Sequence, residues 1–238
     1  MEQGRVFASA RVVRGSDVNV DGRLRLDALA RYLQDAAEDD IADAGLREPQ
    51  DWVLRRCAVK IASFPGLGQQ LAVRTFCSGI GPRWAERTTT LAGDADELVR
   101  ATAVWAAVAR DTGGPAPLGP EFHRVYGASA AGRGVSARLS HPRPPGPPCL
   151  PLDGARPWPL RVTDFDAIGH VNNSVHWAAV EDALAGLGWL PAETDIEYRR
   201  PVLPGMEPRL LVSAETDHAW AWLLSGTEVL ASARLGRR

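Results

Sequence analysis

Cysteine is scarce in this chain, long apolar runs are missing, and neither sign of charge prevails. The three cysteines (Cys57, Cys77 and Cys149) are odd in number and show no C-x-x-C spacing. That excludes a disulfide framework and gives no zinc motif. No apolar stretch approaches the roughly 20 residues that span a bilayer. The opening residues, MEQGRVFASARVVRG, lack an apolar h-region. A cytoplasmic location and no membrane partner are therefore expected. The 27 basic and 29 acidic side chains leave a formal charge of −2, which supplies no electrostatic reason for a nucleic-acid partner. G-x-S-x-G, a complete G-x-G-x-x-G and a Walker loop are also missing, so neither a serine-hydrolase elbow nor a nucleotide site is indicated.

What is present is an ordinary globular composition, 45% apolar and 24% charged, over a length that suits one large domain or two small ones. Eleven of the eighteen prolines fall between Pro115 and Pro159. This stretch includes HPRPPGPPCLP (141–151), which can form neither helix nor central strand. The parts on either side resemble each other. SDVNVDGRLRLDALARYLQDAAE (16–38) and TDFDAIGHVNNSVHWAAVEDAL (163–184) align at an offset of 147, matching Asp17 with Asp164, Asn19 with Asp166 and Gly22 with Gly169. Further on, Pro65-Gly66 matches Pro204-Gly205. The chain reads as a duplicated unit. Each copy has a short strand (ASARVVR; WPLRVTD), a polar turn, a helix and a run of antiparallel strands. The helix 26–44 carries Leu26, Leu29, Ala30, Leu33, Ala37 and Ile41 on one stripe, with Asp and Arg opposite. This is an α+β layer in which the sheet covers the helix.

The segment DFDAIGHVNN (164–173) gathers carboxylate, imidazole and amide groups where the second helix begins. Unpaired first-turn N–H groups and the positive end of the helix dipole favour developing negative charge there. An ionised acid at that end can activate water or attack a carbonyl directly. The same residues also have plain structural readings: Asp164 as a turn acid, Asp166 as an Asx-turn residue, His170 as a donor to a backbone carbonyl, and Asn172 and Asn173 as caps. His176 lies six residues beyond His170, off its helical face, which argues against a metal pair. Cys57 and Cys77 sit in strand-like runs and read as small buried groups.

The ordered set LQDAAEDDIADAGL, WVLRRCAVKI, SFPGLGQQLAVRTF, LVRATAVWAAVARDTGG, DFDAIGHVNN and EYRRPVLPG resembles the acyl-ACP thioesterases, nearly end to end. The resemblance implies a tandem double hotdog, each unit a helix wrapped by an antiparallel sheet. Its parts would be an N-terminal hotdog at 1–122, a Pro/Gly-rich linker at 123–157 and a catalytic C-terminal hotdog at 158–238. It implies an enzyme, a hydrolase releasing free fatty acid from a phosphopantetheine thioester, with acyl carrier protein as partner and no cofactor. A homodimer is left open. Asp166, His170 and Asn172 would be catalytic, with Gly169, Val171 and Asn173 binding substrate or oxyanion. Asn19 and Arg23 at the matching positions of the first copy suit one active site per chain, the first unit serving as acyl pocket and partner wall.

Two departures stand out. The family's asparagine between acid and histidine is Ile168, and its glutamate and cysteine after Tyr-Arg-Arg are Pro201 and Val202. Glu181, Asp182 and Glu197 are candidate helpers. Arg55, Arg56, Arg199 and Arg200 read as solvated strand ends or, through the family, as contacts to the carrier. A hydrolase acting on acyl-CoA, and an acyl- or carrier-binding protein without activity, are the alternative readings.

Overall fold

The computed structural model describes residues 4–46, 50–94, 96–145 and 154–237. Cys149 and most of the proline-rich run lie outside the described residues. The chain divides into two compact units. One comprises Met1–Leu24 with Arg31–Arg138, the other Arg25–Ala30 with Leu139–Arg238.

In the first unit, β1 (Phe7–Val12), β2 (Gln50–Ile61), β3 (Gln70–Ile80), β4 (Trp84–Ala92) and β5 (Glu97–Ala109) pair antiparallel in the order β1-β3-β4-β5-β2. The strands are rich in Val, Thr and aromatic residues, which suit a pleated surface. Helix α1 (Leu26–Asp43) buries the expected stripe from Leu26 to Ala37, with Ile41 partly buried. The expectation that its acids all point away from the core fails at Asp40, which is fully buried. Its Oδ1 accepts from Arg5 Nε (2.6 Å), and its Oδ2 accepts from Arg87 Nη1 (2.6 Å) and Tyr126 Oη (3.0 Å). Arg87 also donates to Thr75 Oγ1, which is paired with Thr89 Oγ1 at 2.8 Å. A buried charge survives only when paired and hydrogen-bonded, and here every partner comes from a different element.

Tyr126 belongs to α2 (Pro120–Ala130), a helix the sequence reading did not include. Pro120 at its first turn, after Gly119, is a favoured start. Phe122, Tyr126 and Ala130 form its buried side. The helix crosses the expected hotdog–linker boundary at 122/123, and the compact units divide at Arg138/Leu139 instead.

The second unit repeats the topology. Strands β6 (Arg156–Pro157), β7 (Pro191–Tyr198), β8 (Arg209–Ala214), β9 (His218–Ser225) and β10 (Glu228–Arg237) run in the order β7-β10-β9-β8-β6. Reversed, this is the order of the first unit, with β6 in the place of β1. The expected strand WPLRVTD is reduced to those two residues and a 3-10 turn at Val162–Asp164. Pro157 and Pro159 lack the N–H that a longer ladder needs. Helix α3 (Asn173–Leu187) turns His176, Ala179, Val180 and Ala183 into the core. The opposite sheet face carries Leu211, Trp222 and Leu224, packed with Ala155. The chain after Leu139 is held by the same unit: Glu197, fully buried, accepts from the N–H groups of Ser140 and His141 and from Arg199 Nη2 (2.8 Å), while Trp222 Nε1 donates to the Pro142 carbonyl at 3.0 Å.

Replacing Asp40 by alanine leaves two arginines facing a buried void in the charge pattern. The variant should lose about 3–5 kcal/mol of stability, read as a lower midpoint in urea unfolding.

Candidate functional site

The loop that precedes α3 is built from side-chain-to-backbone hydrogen bonds. Asp164, nearly fully buried, accepts from the Arg161 N–H (2.8 Å) and from the Arg161 guanidinium. Its carbonyl accepts from the Asn172 N–H at 2.8 Å. Asp166 closes the turn: its N–H donates to the His170 carbonyl (2.8 Å), and its Oδ1 accepts from the N–H groups of Ile168 and His170, both at 3.1 Å. Gly169, at φ 79°, takes the left-handed conformation that lets the turn close.

The first copy forms the same loop with an amide in place of the acid. Asn19 N–H donates to the Arg23 carbonyl (2.9 Å), and Asn19 Oδ1 accepts from Asp21 N–H (3.1 Å) and Arg23 N–H (3.0 Å). Gly22 has φ 74°. One oxygen at this position is therefore enough for the loop. The second group differs. Asn19 Nδ2 donates to Asp21 at 3.2 Å, whereas Asp166 Oδ2 accepts no hydrogen bond from the described residues. The residue facing it in sequence is Ile168, 60% exposed. An acid there, like Asp21, would repel the Asp166 carboxylate, so isoleucine is compatible with keeping the charge.

The expected oxyanion donors fare unequally. Gly169 N–H donates to the Asp166 carbonyl (3.0 Å), and Val171 N–H donates to the Val202 carbonyl (2.9 Å). The Val171 side chain is core. Asn172 is the N-cap of α3: its Oδ1 accepts from Ser174 N–H (2.9 Å) and Ser174 Oγ (2.8 Å). Asn173 keeps its N–H free of any carbonyl among the described residues, while its own carbonyl accepts from Tyr198 Oη at 3.3 Å. At the matching place on α1, the Leu26 N–H is taken by Glu181 Oε2 at 2.8 Å. That uses one of the candidate helpers. Glu197 is spent on Ser140, His141 and Arg199, Asp182 pairs with Arg156, and Arg200 pairs with Glu228. His170 is half-buried, and no described residue bonds its imidazole.

The hydrogen bonds also revise the repeat. Leu24 N–H reaches the Pro65 carbonyl where Val171 N–H reaches that of Val202. The sequence match of Pro65-Gly66 with Pro204-Gly205 is thus two residues out of the structural register.

A residue that sequence reasoning set aside lies behind the loop. His176 is buried against Tyr198, with ring centroids 5.1 Å apart, and its Nδ1 contacts the Asn172 carbonyl at 3.3 Å. Burial holds its pKa down to about 4, the carbonyl contact opposing only in part. The imidazole is neutral at physiological pH and, donating through Nδ1, steadies the start of α3. The two described cysteines are buried, and burial raises the Cys77 thiol, as suits packing groups.

The family model for the acyl-ACP thioesterase N-terminal domain matches residues 4–126. The chain belongs to the acyl-ACP thioesterase family. An uncharacterized protein of Mycobacterium tuberculosis (strain H37Rv) is 28% identical to this family member over 98% of the chain and 93% of its own length. Two solved structures share its fold. The 12:0-ACP thioesterase from Umbellularia californica is 18% identical with a TM-score of 0.80, over 98% of this chain and 97% of that one. An acyl-ACP thioesterase from Bacteroides thetaiotaomicron is 18% identical with a TM-score of 0.78, over 98% of each. The fold is the tandem double hotdog, and the family is one of thioester hydrolases.

His176 makes stability depend on pH. The unfolded chain binds the proton near 6.5, the native protein only near 4. Stability should therefore be full above about pH 6.5 and fall as pH drops toward 4, by on the order of a few kcal/mol. Urea titrations of wild type and His176→Phe across this range check it: the variant should lack this part of the slope.

Proposed function

We propose that the protein hydrolyses a fatty acyl thioester carried on acyl carrier protein, in the cytoplasm, with Asp166 of the second unit as the reacting acid. One observation carries the reading. Asn19 builds the same loop as Asp166, so the fold does not require a carboxylate there, and the charge is available for chemistry. Family membership supports a thioester substrate, and the acyl-carrier form of it is the family's own. Among the described residues no helix is long and apolar enough to cross a membrane.

Two routes use the same geometry. In the first, the Asp166 carboxylate takes a proton from water as the water oxygen bonds to the thioester carbon. The resulting tetrahedral oxyanion is stabilised by the Asn173 N–H and the positive end of α3. Collapse breaks the C–S bond, and the proton passes to the leaving thiolate. In the second, Asp166 attacks the carbon itself, and water then hydrolyses the mixed anhydride. His170 orients the water or the carbonyl in either route. Asn172 acts by capping the helix that carries the amide, and Gly169 by shaping the turn.

A second reading, an acyl- or carrier-binding protein without turnover, draws on Pro201 and Val202. Val202 is buried and spends its carbonyl on the loop, so neither residue can supply an acid or a nucleophile. Thiol release from acyl-ACP and acyl-CoA panels separates the readings. Asp166→Asn should preserve stability within about 0.5 kcal/mol, because Asn19 already fills the same role, while turnover falls by about 10²-fold or more. Unchanged turnover would remove Asp166 from the chemistry. Saturable binding with no turnover on any substrate would favour the binding protein, and faster acyl-CoA hydrolysis would replace the carrier.

A further inference from the structure

The helix-on-sheet interfaces of the two units are filled differently. In the first, the layer between helix and sheet contains the bonded set of Asp40, Arg87, Thr75, Thr89 and Tyr126. Burying an alkyl chain among these groups would strip them of partners at high cost. In the second, α3 and the sheet leave a cavity of about 20 Å³. Its walls include Ala179 and Val180 from α3, Ala221 from β9, and Ala231 and Ala233 from β10. Ala221 and Ala233 are direct cross-strand partners. Strand interiors favour β-branched and aromatic side chains, and a larger residue at either position would fill the space. Ser232 and Glu197, neighbours in the same ladder, carry their polar groups to the other face, where they meet His141. The cavity walls are therefore apolar apart from His176.

His176 joins this space to the candidate site. It lines the cavity while its Nδ1 contacts the carbonyl of Asn172, the cap of α3. The cavity thus starts about one helical turn, roughly 5.4 Å, from the helix end that carries the Asn173 amide. A void of this size has room for about one small group, and with apolar walls it stays dry and accepts carbon in preference to water.

We propose that this cavity receives the terminal carbons of the acyl chain, and that Val180 and Ala221 set the chain length accepted. The proposal rests on the thioesterase reading and adds to it a place for the acyl group in the second unit. Shortening Val180 lengthens the space, and enlarging Ala221 closes it.

The experiment measures kcat/KM on straight-chain acyl thioesters of graded length for wild type, Val180→Ala and Ala221→Val. Calorimetric affinities for the matching free fatty acids are measured in the Asp166→Asn background, where no turnover is needed. Val180→Ala should move the preference toward longer chains and Ala221→Val toward shorter ones. The ratio between adjacent lengths should change by about tenfold, as expected for a methylene in an apolar pocket. Fatty-acid affinities should follow the same order. If profile and affinities stay unchanged in the folded variants, the cavity is a packing void and the proposal is overturned. If Ala221→Val does not fold, Val180→Ala alone decides between these outcomes. If turnover is missing throughout but the affinities still follow the cavity, the pocket stands and the hydrolase reading falls. If Asp166→Asn abolishes turnover but chain preference ignores both variants, the hydrolase stands and the pocket falls.

Discussion

The candidate site depends on one side-chain oxygen that accepts two backbone N–H groups across a five-residue turn. Asp166 does this in the second copy and Asn19 in the first, with hydrogen bonds that agree within 0.1 Å. The turn places a glycine in the left-handed region, sends the next residue onto a neighbouring carbonyl, and sets the first turn of the following helix. An amide and a carboxylate serve this purpose equally well. What separates the copies is the remaining group: an NH₂ tied to Asp21 in one, a charged oxygen beside Ile168 in the other. The two helix starts diverge in the same sense, because Glu181 occupies the first amide of α1 and the corresponding amide of α3 has no such partner. One scaffold, built twice, thus holds one loop in a form suited to chemistry.

The cores of the two units show the same divergence. Asp40 and its arginines bind four elements of the first unit together, which suits a unit whose interior stays closed. The second unit keeps its fixed charges on the outer sheet face, where Glu197 and Arg199 hold the chain that follows Leu139. Its helix-facing layer is left to alanines, valine and a neutral histidine. Glu197 is well placed for that task and is no longer free to assist at the loop. The arginine pair read as a carrier contact is likewise engaged, Arg199 with Glu197 and Arg200 with Glu228.

Much of this was legible in the residues. The repeat, the strand runs, both repeated helices and the polar turn follow from periodicity and from the spacing of Asp, Gly and Asn. The parts that were not legible depend on contacts between distant segments. Asp40 looks like a surface acid on α1, because nothing local announces Arg5, Arg87 and Tyr126. Helix α2 hides in a proline-rich stretch, although Pro120 followed by Phe122, Val125 and Tyr126 is a helical pattern. WPLRVTD has strand composition, but its prolines confine the ladder to Arg156 and Pro157. Within the loop, the spacing selects the right residues without telling which amides are already used. Gly169 and Val171 look like oxyanion donors until their hydrogen bonds to Asp166 and Val202 are seen. His176, dismissed as a metal ligand, turns out to brace the Asn172 carbonyl from inside the core.

The central claim is that the two loops share a form but only the second is open to a thioester. Calorimetric titration of the wild-type protein with a non-hydrolysable thioether analogue of acyl-pantetheine counts the sites directly. One equivalent bound per chain is the result this account requires. Two equivalents of equal affinity would show that the Asn19 loop binds as well, and would contradict it.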